Sequence, residues 1–251
     1  MSNTDTIIKN DELRMTLCRY VPFRRFCEML FFEQLTLVSP KLWVDKYENY
    51  LLSMIREGQI TDEFKEQIKD KNQYEDEQVE DAIEFAEGLC SVARCLCFSK
   101  SVDEEVMWNA YNYQNETIMW TTTAEKLRNV CSDLMIAKVS YDLESYGSRG
   151  FIRQFSSYEG DVAIENAHEF LTHKRSMFNY ENEVRIIDMH MINLSSKFCI
   201  YKIPSLHGFI DGVLVHPLAE EGYVKLVERV CDHFNVPFLG KSQIYELKEK
   251  F

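Results

Sequence analysis

Residues 180–187 read Y-E-N-E-V-R-I-I and carry charged side chains at three alternate positions, 181, 183 and 185. Successive side chains of a β-strand point to opposite faces, so Glu181, Glu183 and Arg185 are predicted to share one face of a strand. Two carboxylates two residues apart on a strand repel each other unless a cation or a ligand balances them. The segment therefore indicates either an exposed strand face with ion pairs or a ligand site built on paired carboxylates.

Short β-prone segments alternate with helical patterns along most of the chain. The strand-like segments occupy residues 15–20, 35–38, 94–98, 117–121, 134–141, 183–190, 198–203, 209–216 and 243–247. The helical patterns occupy residues 22–31, 43–88, 103–111, 124–131, 162–175 and 218–234. This mixture predicts an α+β fold with a mixed or antiparallel central sheet and flanking helices.

The whole chain, residues 1–251, is predicted to form one domain. Residues 1–12 are polar, which is typical of a flexible terminus. Residues 44–92 are helical in pattern and strongly acidic, so we expect them to form a helical insertion in the α+β domain. Residues 145–160 are rich in glycine and serine and are predicted to form a mobile loop.

The formal net charge of −13 is concentrated in one stretch. Residues 57–87 contain twelve acidic and three basic residues, a pattern most often found on a solvated helical face. A chain of this charge repels phosphate backbones, so its electrostatics do not favour a nucleic acid as partner. That argument leaves open a local basic pocket elsewhere in the chain.

Eight cysteines are scattered through the sequence, most of them within apolar runs. Free cysteine packs as a small hydrophobic residue and the N-terminal residues do not read as a secretory signal, so we expect reduced thiols and a cytoplasmic protein. Cys90, Cys95 and Cys97 lack the paired C-x2-C spacing of structural zinc sites, so no metal is expected. No apolar run approaches the roughly 18 residues of a membrane span, so no membrane partner is expected either.

Five short motifs follow one another in a specific order. They are C-R-Y at 18–20, S-P-x-x-W-x-D-x-Y-E at 39–48, C-F-S at 97–99, M-W-x-x-Y at 107–111 and K-R-S-M-F-N-Y-E-N-E-V-R at 174–185. The ordered set resembles a widespread bacterial domain-of-unknown-function family, DUF2971, whose members carry a K-x-x-x-[WF]-x-x-E-x-E-x-R signature. The resemblance spans most of the chain. Lys46 departs from the family pattern, which usually has proline there, and this leaves the shape of that turn open.

A more distant similarity relates E-N-E-V-R-I at residues 181–186 to the E-x-E-V-x-[LI] strand of mono-ADP-ribosyltransferases. Those enzymes also place an arginine on an early strand and a serine-centred motif on a middle strand, and Arg19 and Ser99 stand in that order. The similarity implies an enzyme that acts on NAD, either a transferase or a glycohydrolase. It implies that Glu183 stabilises the oxocarbenium ion and that Glu181 positions the acceptor.

The same similarity implies roles for the other candidate residues. Arg19 is expected to bind a phosphate of NAD, for which a guanidinium is well suited, and Ser99 is expected to support Glu183. The predicted cofactor-binding set consists of Arg19, Tyr20, Ser99, Tyr111, Lys174 and Tyr180. Its aromatic members, or Phe178, are available to stack on a flat ring. The expected partner is a small-molecule nucleotide, and the sequence does not identify the acceptor macromolecule.

Two other functions stay open. The carboxylate and lysine set of a metal-dependent nuclease is also present, as Asp45, Glu48, Lys174, Glu181 and Glu183. A non-catalytic binding or regulatory module of a bacterial phage-defence or toxin system is the third candidate, and it needs only an intact carboxylate face.

Purely structural interpretations also exist for the residues outside the 180–187 segment. Arg19 pairs with Asp45 or Glu48 in one of them, and Ser99 caps a helix in another. Trp108 and Tyr111 are three residues apart in a helical pattern, a spacing that is more often found in a core than in a ring-stacking site.

Overall fold

The computed structural model describes residues 6–49, 53–55, 57–143, 167–190 and 196–246. In these ranges one sheet contains nine strands: β1 (Thr16–Pro22), β2 (Gln34–Val38), β3 (Arg94–Ser99), β4 (Thr117–Thr123), β5 (Met135–Lys138), β6 (Glu183–Asp188), β7 (Phe198–Lys202), β8 (Gly212–Val215) and β9 (Phe238–Lys241). The α-helices are α1 (Phe23–Phe32), α2 (Asp62–Asn72), α3 (Asp76–Val92), α4 (Glu105–Ala110), α5 (Ala124–Val130) and α6 (Glu221–His233). This mixed sheet with helices confirms the predicted α+β class.

The sheet is split near its centre. Its strands run in the order β5-β6-β3-β1-β4-β8-β9, and β2 pairs with both β3 and β7. β1 and β3 share a single register pair, Cys18 opposite Ser99. Beyond that pair β1 continues along β4, whereas β3 continues along β6. The two strands therefore separate next to Arg19, and the candidate site lies in the gap.

The main hydrophobic core covers one face of the sheet. Leu17, Leu96 and Val184 are buried in it, from the three neighbouring strands β1, β3 and β6, and α1, α5 and α6 contribute to it. Because side chains alternate along a strand, Glu183 and Arg185 point away from this core. They are nonetheless 4 % and 0 % exposed, so the face opposite the core is also covered by the chain.

The acidic stretch forms the helical pair α2 and α3. Thr61 caps α2, because its hydroxyl accepts a hydrogen bond from the N–H of Phe64. Phe64 and Ile68 pack with Val79 in a separate small core. Most of the acidic side chains lie on the outer surface of this pair, in agreement with the predicted solvated face. Among the described residues, no helix is both long and apolar enough to cross a membrane.

Residues 6–12 differ from the flexible terminus predicted for residues 1–12. Ile8 is 2 % exposed, and its N–H donates to the carbonyl of Ile136 in β5. Burial of this apolar side chain in the main core is the physical reason that the segment lies against the sheet.

Two other predicted elements are wrong where the structure describes them. The helix predicted for 162–175 is replaced by a short 3-10 helix, Ala167–Leu171, followed by extended chain at His173 that bridges to Ser140. Residues 243–246 form a turn instead of a strand. The predicted mobile loop at 145–160 lies outside the described residues.

Candidate functional site

A cavity of about 120 Å³ opens where β1 and β3 separate. Seven of the predicted site residues line it: Arg19, Tyr20, Ser99, Tyr111, Lys174, Glu181 and Glu183. Tyr180 is the exception, because it does not line the cavity and its ring packs against the cluster that contains Trp108. Residues more than 160 positions apart in sequence therefore border one small space, and the strand order of the sheet brings them there.

The floor of the site is a buried pair formed by Glu183 and Arg185. The Nε of Arg185 donates to one carboxylate oxygen of Glu183 at 2.6 Å, and a terminal nitrogen donates to the other at 3.1 Å. The remaining terminal nitrogen donates to the carbonyl of Leu171 at 2.6 Å, and the guanidinium lies 4.5 Å from the ring centre of Trp43. Such a two-point contact fixes the carboxylate of Glu183 in one orientation.

Lys174 lies at the centre of the charged cluster. Its Nζ is 2.5 Å from Glu181, 2.7 Å from Glu48 and 3.2 Å from Glu183. Glu48 also approaches Arg185, at 3.6 Å. Three carboxylates thus face two cations, which leaves one negative charge in excess when all five groups are ionised. The sequence allowed an exposed strand face with ion pairs. That interpretation is wrong, because this network is buried.

Glu181 reaches the cluster by a route that differs from the predicted strand. Ser176–Glu181 is a 3-10 helix, Asn182 has a left-handed backbone with φ of 45°, and β6 begins only at Glu183. The hydroxyl of Ser99 donates to the carbonyl of Glu181 at 2.5 Å and accepts the N–H of Ser101 at 2.9 Å. Ser99 therefore supports Glu181 and is not a helix cap, since α4 begins at Glu105. Ser99 was predicted to support Glu183, but among the described residues its hydroxyl forms no hydrogen bond with the Glu183 side chain.

The pKa values of Glu181 and Glu183 are shifted in opposite directions. Burial acts to raise the pKa of Glu183, but the charge of Arg185 and its hydrogen bonds, aided by Lys174, outweigh that effect and lower the pKa to about 2. Burial raises the pKa of Glu181 above its ordinary value, and Lys174 offsets this only in part. Carboxylates whose environments push their pKa values apart are typical of acid–base pairs in enzymes.

Glu181 also has the freer carboxylate of the two. One of its oxygens pairs with Lys174, while the other has no hydrogen-bond partner among the described residues. Both oxygens of Glu183, in contrast, accept from Arg185. Glu181 therefore has a carboxylate oxygen available to contact a ligand, whereas both oxygens of Glu183 are engaged by Arg185.

Metal binding has little room in this cluster. The ammonium group of Lys174 already occupies the space among Glu48, Glu181 and Glu183, where a metal bound by these three carboxylates has to lie. Over the ranges that the structure describes, no group of three or more His, Cys, Asp or Glu residues is arranged to hold a metal ion.

Arg19 is the cation of the site that lacks an acidic partner. Within the described ranges no carboxylate pairs with it, and its guanidinium lies 5.6 Å from the ring centre of Phe98. The suggested structural partners are engaged elsewhere, Asp45 with Arg175 at 2.8 Å and Glu48 with Lys174. Burial lowers the pKa of Arg19, which still leaves a guanidinium charged at neutral pH. An unpaired, partly buried guanidinium is suited to bind an anion.

A larger groove of about 570 Å³ adjoins the cavity. Arg19, Tyr20 and Tyr111 border both spaces. The rings of Tyr20 and Tyr111 are stacked with centres 6.2 Å apart, and Tyr20 also contacts the fully buried Trp108 edge-on. Trp108 is therefore core, as its structural interpretation proposed, whereas Tyr111 lies at the junction of cavity and groove.

Residues 43–48, which the sequence analysis gave as part of a family motif, as partners of Arg19 and as candidate metal ligands, contribute further residues to the site. Trp43 lies over Arg185, Asp45 pairs with Arg175, and Glu48 pairs with Lys174. Cys97 lies close to Glu183, and its pKa is raised well above the ordinary value, mainly by burial and then by the charge of Glu183. The W-x-D-x-Y-E motif at 43–48 was the available signal for the first three, and the C-F-S motif at 97–99 was the signal for Cys97.

Comparisons with protein-family models, with curated proteins and with solved structures found no match for this chain.

Proposed function

We propose that the protein binds a nucleotide of the NAD type across the split in the sheet and cleaves or transfers at its N-glycosidic bond. The observation that carries this proposal is the position of Arg19, an arginine without an acidic partner among the described residues, which borders the same cavity as Glu181 and Glu183. One wall is suited to a phosphate and the other to a positive charge at the sugar carbon.

The charge of the cluster supports a substrate with a cationic ring. Glu48, Glu181 and Glu183 exceed Lys174 and Arg185 by one negative charge. The nicotinamide ring of NAD is a cation, and positive charge moves to the ribose carbon as the bond to nitrogen breaks. Fixed negative charge in a site shielded from water stabilises that change strongly.

Glu181 is the proposed reacting carboxylate. As the bond from ribose carbon to ring nitrogen breaks, its electron pair stays on nitrogen and neutralises the ring. A bond then forms between the same carbon and an oxygen or nitrogen of the acceptor or of water, and Glu181 takes the proton that this atom releases. A raised pKa makes Glu181 a stronger base than an ordinary carboxylate.

Glu183 has a positioning role in this proposal. Its low pKa keeps it ionised, and Arg185 holds both of its oxygens. It thereby keeps Lys174 close to Glu181, and its negative charge adds to the field that favours a cationic sugar.

The volume of the site agrees with a ligand that extends beyond the cavity. A space of about 120 Å³ admits one ring, whereas the adjoining groove of about 570 Å³ lies in the usual range for ligand pockets of about 300–1,000 Å³. A dinucleotide therefore has to occupy both spaces, with its phosphates near Arg19 at the junction.

The non-catalytic alternative draws support from the buried Glu183–Arg185 pair, since such networks also occur for structural reasons alone. The nuclease alternative is weakened by the ammonium of Lys174 among the carboxylates.

Release of nicotinamide from NAD, followed by chromatography, separates these functions. The wild-type protein is expected to release nicotinamide, and Glu181→Gln is expected to slow the release by about 100-fold or more, the usual range for loss of a general base. Glu80→Gln is the matched control, because Glu80 lies on the exposed face of α3. Release at the same rate by wild type and Glu181→Gln contradicts the assigned role, and no release by the wild type, with or without a protein acceptor, contradicts the proposed function.

A further inference from the structure

The groove beside Arg19 has a polar edge on β2. Gln34 and Thr36 are half-buried, line the groove and point to the same face of the strand. In the pairing of β2 with β7, Thr36 lies opposite Ile200, whose side chain lines the groove as well. Neither the amide of Gln34 nor the hydroxyl of Thr36 has a hydrogen-bond partner among the described residues. A glutamine amide has both hydrogen-bond donors and an acceptor, so this edge is suited to hydrogen-bond with a ligand that carries both kinds of group.

Most of the remaining groove lining is apolar or aromatic, and the Arg25–Glu28 ion pair also borders it. Phe32, Phe198 and Ile200 are 58 %, 50 % and 54 % exposed and border it, and Tyr113 lies on its wall. Large apolar side chains that converge on one concave surface mark a binding site more often than they occur without a role. Flat apolar walls beside two hydrogen-bonding side chains are suited to a planar ring with a polar edge.

Arg19 sets the orientation of such a ring. It borders both the groove and the cavity, and within the described ranges it has no acidic partner. A ligand in the groove therefore has an anion-binding group at its inner end. A planar ring with a polar edge that is joined through a sugar to an anion is a nucleoside 5′-phosphate.

We infer that the groove is a purine-nucleotide subsite, in which Gln34 and Thr36 bind the edge of the base and Arg19 binds the 5′-phosphate. The inference rests on the proposed function for the identity of the complete ligand, because the purine half is then the adenosine end of NAD and the reacting end enters the cavity. A purine is favoured over a peptide because the free hydrogen-bonding groups belong to side chains and lie beside a guanidinium. The geometry also fixes the direction in which a dinucleotide lies across the split sheet.

Calorimetric titration with adenosine 5′-monophosphate and with ribose 5-phosphate tests the subsite without any turnover. The two probes share the sugar phosphate and differ in the base. The wild-type protein is expected to bind the monophosphate at least tenfold more tightly. Gln34→Ala is expected to weaken monophosphate binding about tenfold and to leave ribose 5-phosphate unchanged, since one hydrogen bond to the base is lost. Arg19→Ala is expected to weaken both probes.

A second variant, Thr36→Trp, fills the groove from a half-buried position and is expected to abolish the advantage of the base. Gln67→Ala, on the outer helical pair at α2, is the matched control and is expected to bind both probes like wild type. Equal affinity of the wild type for the two probes overturns the subsite, as does monophosphate affinity that is unchanged in both groove variants. Monophosphate binding as described, without release of nicotinamide from NAD, overturns the proposed function and leaves the subsite standing.

Discussion

Arg185 donates two hydrogen bonds to Glu183, at 2.6 and 3.1 Å, in a part of the sheet where Arg185 is 0 % and Glu183 is 4 % exposed. Each of these charges depends on the other, because neither has water to stabilise it. The pair therefore stabilises the site and holds the pKa of Glu183 below its ordinary value.

Glu183→Gln is expected to destabilise the protein by about 3–5 kcal/mol, because it leaves the guanidinium of Arg185 buried without a counter-charge. Urea unfolding followed by circular dichroism measures this change. Glu80→Gln removes a carboxylate from an exposed pair with Lys65 and is expected to cost about 0–1 kcal/mol. A cost for Glu183→Gln as small as that of the control contradicts the buried pair.

Acid stability follows from the lowered pKa of Glu183. In the unfolded chain the pKa of this carboxyl returns to about 4.5, whereas in the folded protein it is about 2. The stability contributed by the ionised form is fully present above pH 4.5 and is lost as the pH falls towards 2. Wild type is expected to lose stability through this window more steeply than Glu183→Gln, as measured by thermal unfolding at a series of pH values. Parallel curves contradict the assignment.

Most of the fold followed from sequence pattern. Alternation of apolar side chains placed the central strands correctly, since one face of each packs in the main core. The prediction for 162–175 was wrong because a short 3-10 helix and a bridging strand also bury apolar residues such as Phe170 and Leu171, and periodicity does not distinguish these cases over a few residues.

The site could be predicted as a set of residues but not as a geometry. Alternation along a strand predicted that Glu181 and Glu183 share one strand face. In the structure β6 begins at Glu183, and the left-handed backbone at Asn182 separates it from Glu181. Lys174 lies within the segment 162–175 that was predicted to be helical, and the structure places it in extended chain instead. Arg185 engages Glu183 and not Glu181. Residue spacing does not predict this choice, because it depends on contacts in the folded structure.

Ser99→Ala tests how the turn before β6 is supported. The hydroxyl donates to the carbonyl of Glu181 and accepts the N–H of Ser101, both in a buried setting. Losing these bonds is expected to cost about 1–3 kcal/mol and to loosen the position of Glu181. Urea unfolding gives the first quantity, and amide hydrogen exchange at residues 181 and 182 gives the second. Unchanged protection at those amides contradicts the supporting role of Ser99.

Lys174→Met is expected to change how the stability of the protein responds to mild acid, relative to wild type. Without the ammonium group, Glu48, Glu181 and Glu183 face Arg185 alone, so the variant is less stable than wild type at pH 7. Protonation then relieves the repulsion, because Lys174 normally opposes the rise in the pKa of Glu181. Thermal unfolding is expected to show the variant gaining stability from pH 7 to pH 5, relative to wild type. A constant difference between the two proteins contradicts the central position of Lys174.

Calorimetric titration with NAD is the most direct test of the nucleotide site, with Arg19→Ala compared against Arg229→Ala. Arg229 is an exposed arginine on α6 outside the cavity and the groove. Wild type and Arg229→Ala are expected to bind NAD saturably and with equal affinity, and Arg19→Ala is expected to bind at least tenfold more weakly, because a charged hydrogen bond to phosphate is lost. Equal NAD affinity in all three proteins, or no saturable binding to the wild type, contradicts the account.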